Sequence, residues 1–301
     1  MSRIFAIDFT HEGMTAAFVS PDGQEEETAG FDLCDFLAGE SNALDKLVTL
    51  LTMKARAAGG DMAGVAVSMP CDLDPKRERI VNYPQAAWLN DKPLPAILSE
   101  SLGVPVVMER RAIVSLSYDR IMLGLPEDCL AVGCYVDTHY DSAIWHNGRM
   151  LLGKNGSAGN IAHMTIEGRE DNCFCGKSGC VDLYGAGLRV RQMHSMIFPD
   201  MPFAELFEKQ EDHPIVRDYI STMAYPIAIE ANILDPDFLI LGGSIPSMRG
   251  FPRKVLEEQV LRQCYRPAES HAATFMASMA SSSPGVVCAA QYAYLKLGLL
   301  G

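Results

Sequence analysis

The stretch Gly156-Ser157-Ala158-Gly159-Asn160-Ile161-Ala162-His163 runs through a polar linker into Cys173-Phe174-Cys175-Gly176-Lys177-Ser178-Gly179-Cys180-Val181-Asp182. Three thiols and one imidazole follow the spacing His-x9-Cys-x-Cys-x4-Cys. Zinc takes four tetrahedral sulfur and nitrogen ligands, and Gly176 and Gly179 allow so short a loop to wrap an ion. His163, Cys173, Cys175 and Cys180 fill all four positions and leave none for a catalytic water, so the pattern predicts a structural zinc site.

The remaining six cysteines, Cys34, Cys71, Cys129, Cys134, Cys264 and Cys288, stand singly in apolar surroundings and read as small core residues. Arg3 precedes only four apolar residues before Asp8, which is no signal peptide, and no apolar run approaches the length of a membrane span. These features lead us to expect a soluble, cytoplasmic protein with free thiols. At 301 residues with a formal net charge of −13, the chain is long enough for two domains and repels nucleic acid and anionic membranes, since no basic patch stands out.

Around the cysteine loop the pattern is α/β. Arg3 to Ile7 and Met14 to Val19 are apolar runs about a polar turn. Asn42 to Ala58 has helical spacing and ends at Gly59-Gly60. Gly64 to Ser68, Pro105 to Met108, Leu130 to Val136, Ser142 to His146 and Phe238 to Leu241 read as strands. Leu94 to Leu102 and Val286 to Leu299 read as helices. Two openings resemble each other: Ala6-Ile7-Asp8-Phe9-Thr10-His11 and Cys134-Tyr135-Val136-Asp137-Thr138-His139. Each runs strand, polar turn, strand, which suggests a duplicated α/β domain.

The segment from Gly156 to Asp182, together with Leu234-Asp235-Pro236-Asp237 and Leu241-Gly242-Gly243, resembles the signature of the ROK family of bacterial repressors, open reading frames and sugar kinases. Phe251-Pro252-Arg253, Arg266-Pro267 and Ser281-Ser282-Ser283 look like the family's allose kinases. The resemblance implies a two-domain actin-like (ribonuclease H-like) sugar-kinase fold and homodimers. Its first domain would be residues 1–114, with 285–301 packing back on it. Its second, residues 115–284, would carry the zinc loop. The family's repressors place a helix-turn-helix before the first strand, whereas this sequence starts at that strand. DNA binding is therefore not expected.

The kinase motifs depart from the family pattern. The first phosphate turn is Asp8-Phe9-Thr10-His11-Glu12-Gly13, which keeps the aspartate and displaces the glycine. The second is Asp137-Thr138-His139-Tyr140-Asp141, without glycine. By resemblance Asp8, Thr10, Thr138, Gly242 and Gly243 would form what remains of a nucleotide site. Glu109-Arg110-Arg111-Ala112-Ile113 stands where the family has Glu-Asn-Asp-x-Asn, so Arg111 takes the place of the catalytic base, and a guanidinium cannot accept a proton. Asn160 and Asp182 occupy the family's sugar-binding glutamates and, with His163, Arg110 and Arg111, form the expected substrate site. The two arginines would bind an anion such as a sugar phosphate, or pair with Asp8, Asp137 or Asp141. A metal site built from the acids and histidines of the turns is a further alternative. We thus expect a sugar or sugar-phosphate binding protein with little or no kinase activity. The alternatives are an active allose-type hexose kinase using ATP and magnesium, and a structural oligomer subunit.

Overall fold

The computed structural model describes residues 2–32, 42–59, 61–265 and 273–299. Cys34, Gly60, Arg266 and Pro267 lie outside the described residues. The chain divides into two compact units. The first comprises Met1–Met122, Leu152–Ser157 and Ser283–Gly301, and the second Leu123–Leu151 and Ala158–Ser282.

In the first unit β1 (Arg3–Phe9), β2 (Gly13–Val19) and β3 (Glu25–Asp32) form an antiparallel meander. Helix α1 (Ala43–Ala57) follows, and then β4 (Met62–Met69), which pairs in parallel with β1. A small hairpin of β5 (Asp72–Leu73) and β6 (Ile80–Asn82) precedes α2 (Leu94–Leu102). Strand β7 (Val106–Arg110) joins β4 in parallel and runs directly into α3 (Arg111–Met122). The strand order is β3-β2-β1-β4-β7.

Both faces of this sheet are covered, which is why β1 reads as an almost unbroken apolar run. Phe5, Ile7 and Phe9 join one core with Leu47 and Leu51 of α1 and Leu94 and Leu98 of α2. The alternate residues face the C-terminal helix Gly285–Lys296, whose buried Val286, Ala289, Ala290 and Ala293 are small enough to let it lie close on β1, β2 and β4. Asp8 is the one charged residue of β1 on that face. Helix α2 stops at Gly103, whose φ of +73° is the left-handed cap that favours glycine. The boundary expected between residues 114 and 115 falls inside α3. That helix stays whole in the first unit, because its buried face packs on the C-terminal helix.

The second unit repeats the plan. Strands β8 (Leu130–Val136), β9 (Tyr140–His146) and β10 (Arg149–Met150) form the meander. The β9–β10 turn is Asn147-Gly148, both at positive φ, as a tight hairpin of matching twist requires. Helices α4 (Val181–Gly185), α5 (Gly187–Ile197), α6 (Leu206–Gln210) and α7 (Pro214–Leu234) come next. Then β11 (Phe238–Gly242), α8 (Arg253–Gln263) and β12 (Thr274–Ala277) complete a sheet of order β10-β9-β8-β11-β12. The order matches the first sheet position for position, as the paired openings suggested. No described helix is long and apolar enough to cross a membrane.

Gly13 owes its identity to pairing rather than to phosphate chemistry. A Cβ there would stand 2.5 Å from the Phe31 carbonyl oxygen, across the β2–β3 register. Gly13→Ala should therefore destabilise the first unit by about 1–3 kcal/mol through overpacking, read as a lower urea midpoint.

Candidate functional site

The turn between β1 and β2 is closed by its own side chain. Thr10 Oγ1 accepts from the Gly13 amide at 3.0 Å and the Glu12 amide at 3.3 Å, while the Thr10 amide donates to the Gly13 carbonyl at 2.8 Å. Tyr83 Oη donates to the Thr10 carbonyl at 2.8 Å and fixes the turn from the side. A backbone cradle for phosphate needs amide hydrogens that still point outward. Here the amides of residues 10, 12 and 13 are already spent.

Asp8 ends β1 beside Ser68 of β4, its parallel register partner, and Ser68 Oγ donates to Asp8 Oδ1 at 2.7 Å. Arg111, the first residue of α3, places Nε 3.3 Å from the same oxygen and 3.4 Å from the other. Asp8 is 5% exposed and lies against Gly285 at the start of the C-terminal helix, where a Cβ would overlap the carboxylate. The start of that helix, the positive end of its dipole, faces the Asp8 carboxyl. Of the pairings weighed for the two arginines, Arg111 with Asp8 is formed.

Next to it, Glu109 is 3% exposed at the end of β7. Its Oε1 makes an ion-pair contact with Arg77 Nε at 2.7 Å and accepts from the Arg110 amide at 2.9 Å. Its Oε2 accepts from Tyr292 Oη at 3.0 Å. The bonding consequence appears on Tyr292: burial and the neighbouring carboxylate push its phenol well above the usual range. Arg110 itself is buried. The family's glutamate position thus serves to hold three elements of the first unit together.

In the second unit the turn after β8 is tied instead to the loop after β11 and to the start of α5. Asp137 Oδ1 accepts from the Ser244 amide at 2.6 Å, and Ser281 Oγ accepts from the Gly243 amide at 2.7 Å. The carbonyls of Asp137 and Thr138 accept from the Gly187 and Leu188 amides at the start of α5. Gly243, at φ +98°, passes so close to Val136 that a Cβ would meet its carbonyl oxygen at 2.4 Å. The Gly242-Gly243-Ser244 loop therefore keeps its glycines for packing, while two of its amides go to side chains of the same unit.

Asp182 of α4 is 1% exposed. Its Oδ2 lies 2.6 Å from His139 Nδ1, and its Oδ1 accepts from the Tyr140 amide at 2.8 Å. The Asp182 amide donates to the Ala162 carbonyl at 2.9 Å, which ties α4 to the segment bearing Asn160 and His163. Asn160 is partly exposed. His139 was considered above only as a turn ligand for metal; its structural partner is this aspartate. Its ring also meets Phe174 edge-on at 5.5 Å, and Phe174 meets His163 in the same way at 5.1 Å.

The donor atoms of His163, Cys173, Cys175 and Cys180 lie within 4.8 Å of one another. Cys175 Sγ and Cys180 Sγ are 3.6 Å apart, and Cys173 Sγ is 3.5 Å from His163 Nδ1. Two thiolates bound tetrahedrally at about 2.3 Å stand about 3.8 Å apart, so these edges suit a zinc-sized ion. Gly179 is required by approach: at φ +72°, a Cβ would meet the Arg169 carbonyl oxygen at 2.2 Å. Burial pushes the Cys180 thiol up to about 12, and a bound dication would reverse that shift. Among the described residues this is the one group with metal-ligand geometry, and the acids and histidines of the two turns do not form another.

Arg77→Met should cost about 3 kcal/mol or more, because it leaves the buried Glu109 carboxyl without its cation. Adding Glu109→Gln should recover much of the loss. A urea-denaturation double-mutant cycle checks both.

A model described as the ROK family matches residues 38–295. N-acetylmannosamine kinase of Vibrio cholerae is 27% identical over 53% of this chain and 57% of its own length. The xylose repressor of Bacillus spizizenii is 26% identical over 42% of this chain and 32% of its own. The chain thus spans about a third to a little over half of these curated relatives. A ROK family glucokinase from Streptomyces griseus, solved with glucose and AMPPNP, superposes with a TM-score of 0.78 at 18% identity, covering 97% of this chain and 99% of that one. A ROK family transcriptional regulator homologous to the Escherichia coli MLC protein gives 0.77 at 17% identity, covering 98% and 80%. With the family model matching most of its length and the two mixed sheets superposing on a sugar-kinase fold, this chain belongs to the ROK family.

Proposed function

We propose that the chain binds a hexose-type sugar and acts as a regulatory or binding member of the family, without phosphoryl transfer. The Asp8–Arg111 pair carries this reading. The family's chemistry needs a carboxylate that removes a proton from the sugar hydroxyl, and here that position is a guanidinium already bound to an acid. Loss of a general base alone slows such a step by about 10²–10⁴-fold. The closed amides at Gly13, Gly243 and Ser244 also leave an ATP phosphate fewer donors.

Asn160 and Asp182 are the proposed sugar contacts. His163, Cys173, Cys175 and Cys180 are proposed to hold one structural zinc ion, which would fix the loop beside them. We also propose a homodimer in the cytoplasm. Residues that suggested allose have work within the second unit: Phe251 packs on its core, Arg253 pairs with Glu257, and Ser281 holds Gly243. We therefore leave the sugar at the level of a hexose.

The second reading, an ATP- and magnesium-dependent hexose kinase, is favoured by the kinase among the curated relatives. Incubation of the purified chain with a hexose panel and ATP separates the two. We expect no sugar phosphate, and a melting-temperature increase with at least one sugar in the absence of nucleotide. Sugar-dependent ATP turnover that scales with protein would overturn the proposal. We also expect about one zinc per chain by elemental analysis, and Cys180→Ser should lower both that content and the melting temperature.

A further inference from the structure

Glu230 sits in the middle of α7, 3% exposed, facing β8 and β9 of the second unit. Its Oε1 lies 2.5 Å from Ser142 Oγ. Its Oε2 is 3.4 Å from Tyr140 Oη and 3.5 Å from Cys134 Sγ. The charged group that faces it is Asp141, whose effect is repulsive, and the thiol and phenol of Cys134 and Tyr140 are its other titratable neighbours. A carboxylate here would be a buried anion beside another anion.

Hydrogen counting points the same way. Ser142 Oγ also lies at hydrogen-bonding distance from the Gly159 carbonyl oxygen. A hydroxyl carries one hydrogen, and a carbonyl can only accept. Once Ser142 donates to Gly159, the contact with Glu230 has a hydrogen only if Glu230 supplies it. A neutral carboxyl does so, donating from Oε1 to Ser142 while Oε2 accepts from Tyr140. Gly159 is pressed onto the same strand: at φ +85°, a Cβ would meet the Ser142 carbonyl oxygen at 2.9 Å. Residues 160–163, directly after it, carry Asn160 and His163.

We propose that Glu230 is a positioning residue whose protonated carboxyl holds Ser142 so that Ser142 clasps the Gly159 turn, making a pH-sensitive latch on the segment that bears Asn160 and His163. The functional significance of that segment rests on the sugar-binding reading above; the latch itself does not. Burial pushes the Glu230 carboxyl up to about 7. The sign follows for an acid raised by folding. Its stabilising contribution is complete below about 4.5, the unfolded value, and is lost as pH rises through about 7. Above that, an ionised Glu230 takes the Ser142 hydrogen for itself and the Gly159 carbonyl loses its donor.

Three measurements on the full chain, without sugar or nucleotide, test the latch independently of function. Infrared titration of the wild type should show a protonated carboxyl stretch that persists at about pH 6, where exposed carboxylates are ionised, and fades through about pH 7. Glu230→Gln, which keeps one donor and one acceptor, should abolish that band. Amide exchange in residues 158–163, taken relative to Glu230→Gln at the same pH, should rise several-fold between about pH 6 and about pH 8 in the wild type. A purely structural role would lower the melting temperature in the variant while leaving the two pH profiles parallel, and that result overturns the proposal, as does the absence of the band. Should Glu230→Gln fail to fold, the wild-type titration still decides. Ser142→Ala, which removes the clasp, should then keep the band and speed exchange at both pH values.

Discussion

A carboxylate removed from water must be given cations or hydrogen donors, or else be protonated. Four of the five buried carboxyl groups among the described residues meet that requirement in four ways. Asp8 takes a hydroxyl, a guanidinium and the start of a helix. Glu109 takes a guanidinium, a phenol and a backbone amide. Asp182 takes an imidazole and an amide. Glu230 faces a hydroxyl, a phenol and a thiol with no cation, and for it the neutral form is the cheapest solution. The first three join strands to other elements of their unit through ion-pair and hydrogen-bond contacts. The fourth joins them through a proton that solvent pH can remove.

The same accounting applies to backbone amides. A turn that cradles phosphate keeps several amides unsatisfied until the ligand arrives, and such a turn is stable only where water or an anion completes it. In this chain Thr10 completes its own turn, and Asp137 and Ser281 take the amides of Ser244 and Gly243 in the loop after β11. Each is a small polar side chain whose reach matches an amide of the same unit, local for Thr10 and distant along the chain for Asp137 and Ser281. The Arg111–Asp8 pair and the engaged turn amides are thus separate physical features, and the proposed absence of phosphoryl transfer draws on both.

Much of this was legible in the sequence. The clustered His163, Cys173, Cys175 and Cys180 and the repeated strand-turn-strand opening were visible as spacing, and the two sheets share one strand order. Strand β3 was not visible. Glu25-Glu26-Glu27-Thr28 lacks apolar alternation, and that half of the strand is specified by backbone pairing to β2 with its side chains in solvent, only Phe31 packing on the core. Strand β12 has only four residues, and its partly exposed Phe275 and Met276 give no clear period. Glu230 was hidden for another reason. A glutamate in a helix reads as a solvent-facing residue, and only the packing of α7 on Ser142 shows that it is inside. His139 likewise needed the fold to bring it to Asp182, 43 residues along the chain.

The arrangement of charge also weighs on what the site can hold. Arginines in a sequence this acidic invite the idea of an anion site, since a guanidinium matches phosphate well. Arg77 and Arg111 are already matched to Glu109 and Asp8 within the first unit. An arriving phosphate would have to separate one of these pairs and leave a buried carboxylate beside its own negative charge. Breaking such a pair costs about 3–5 kcal/mol when it is fully buried. Arg111 is partly exposed and Asp8 keeps Ser68, so its share is smaller, but the sign is the same. At these arginines an uncharged ligand would ask for no such exchange. The ion pairs of the first unit therefore weigh against an anion at Arg77 and Arg111.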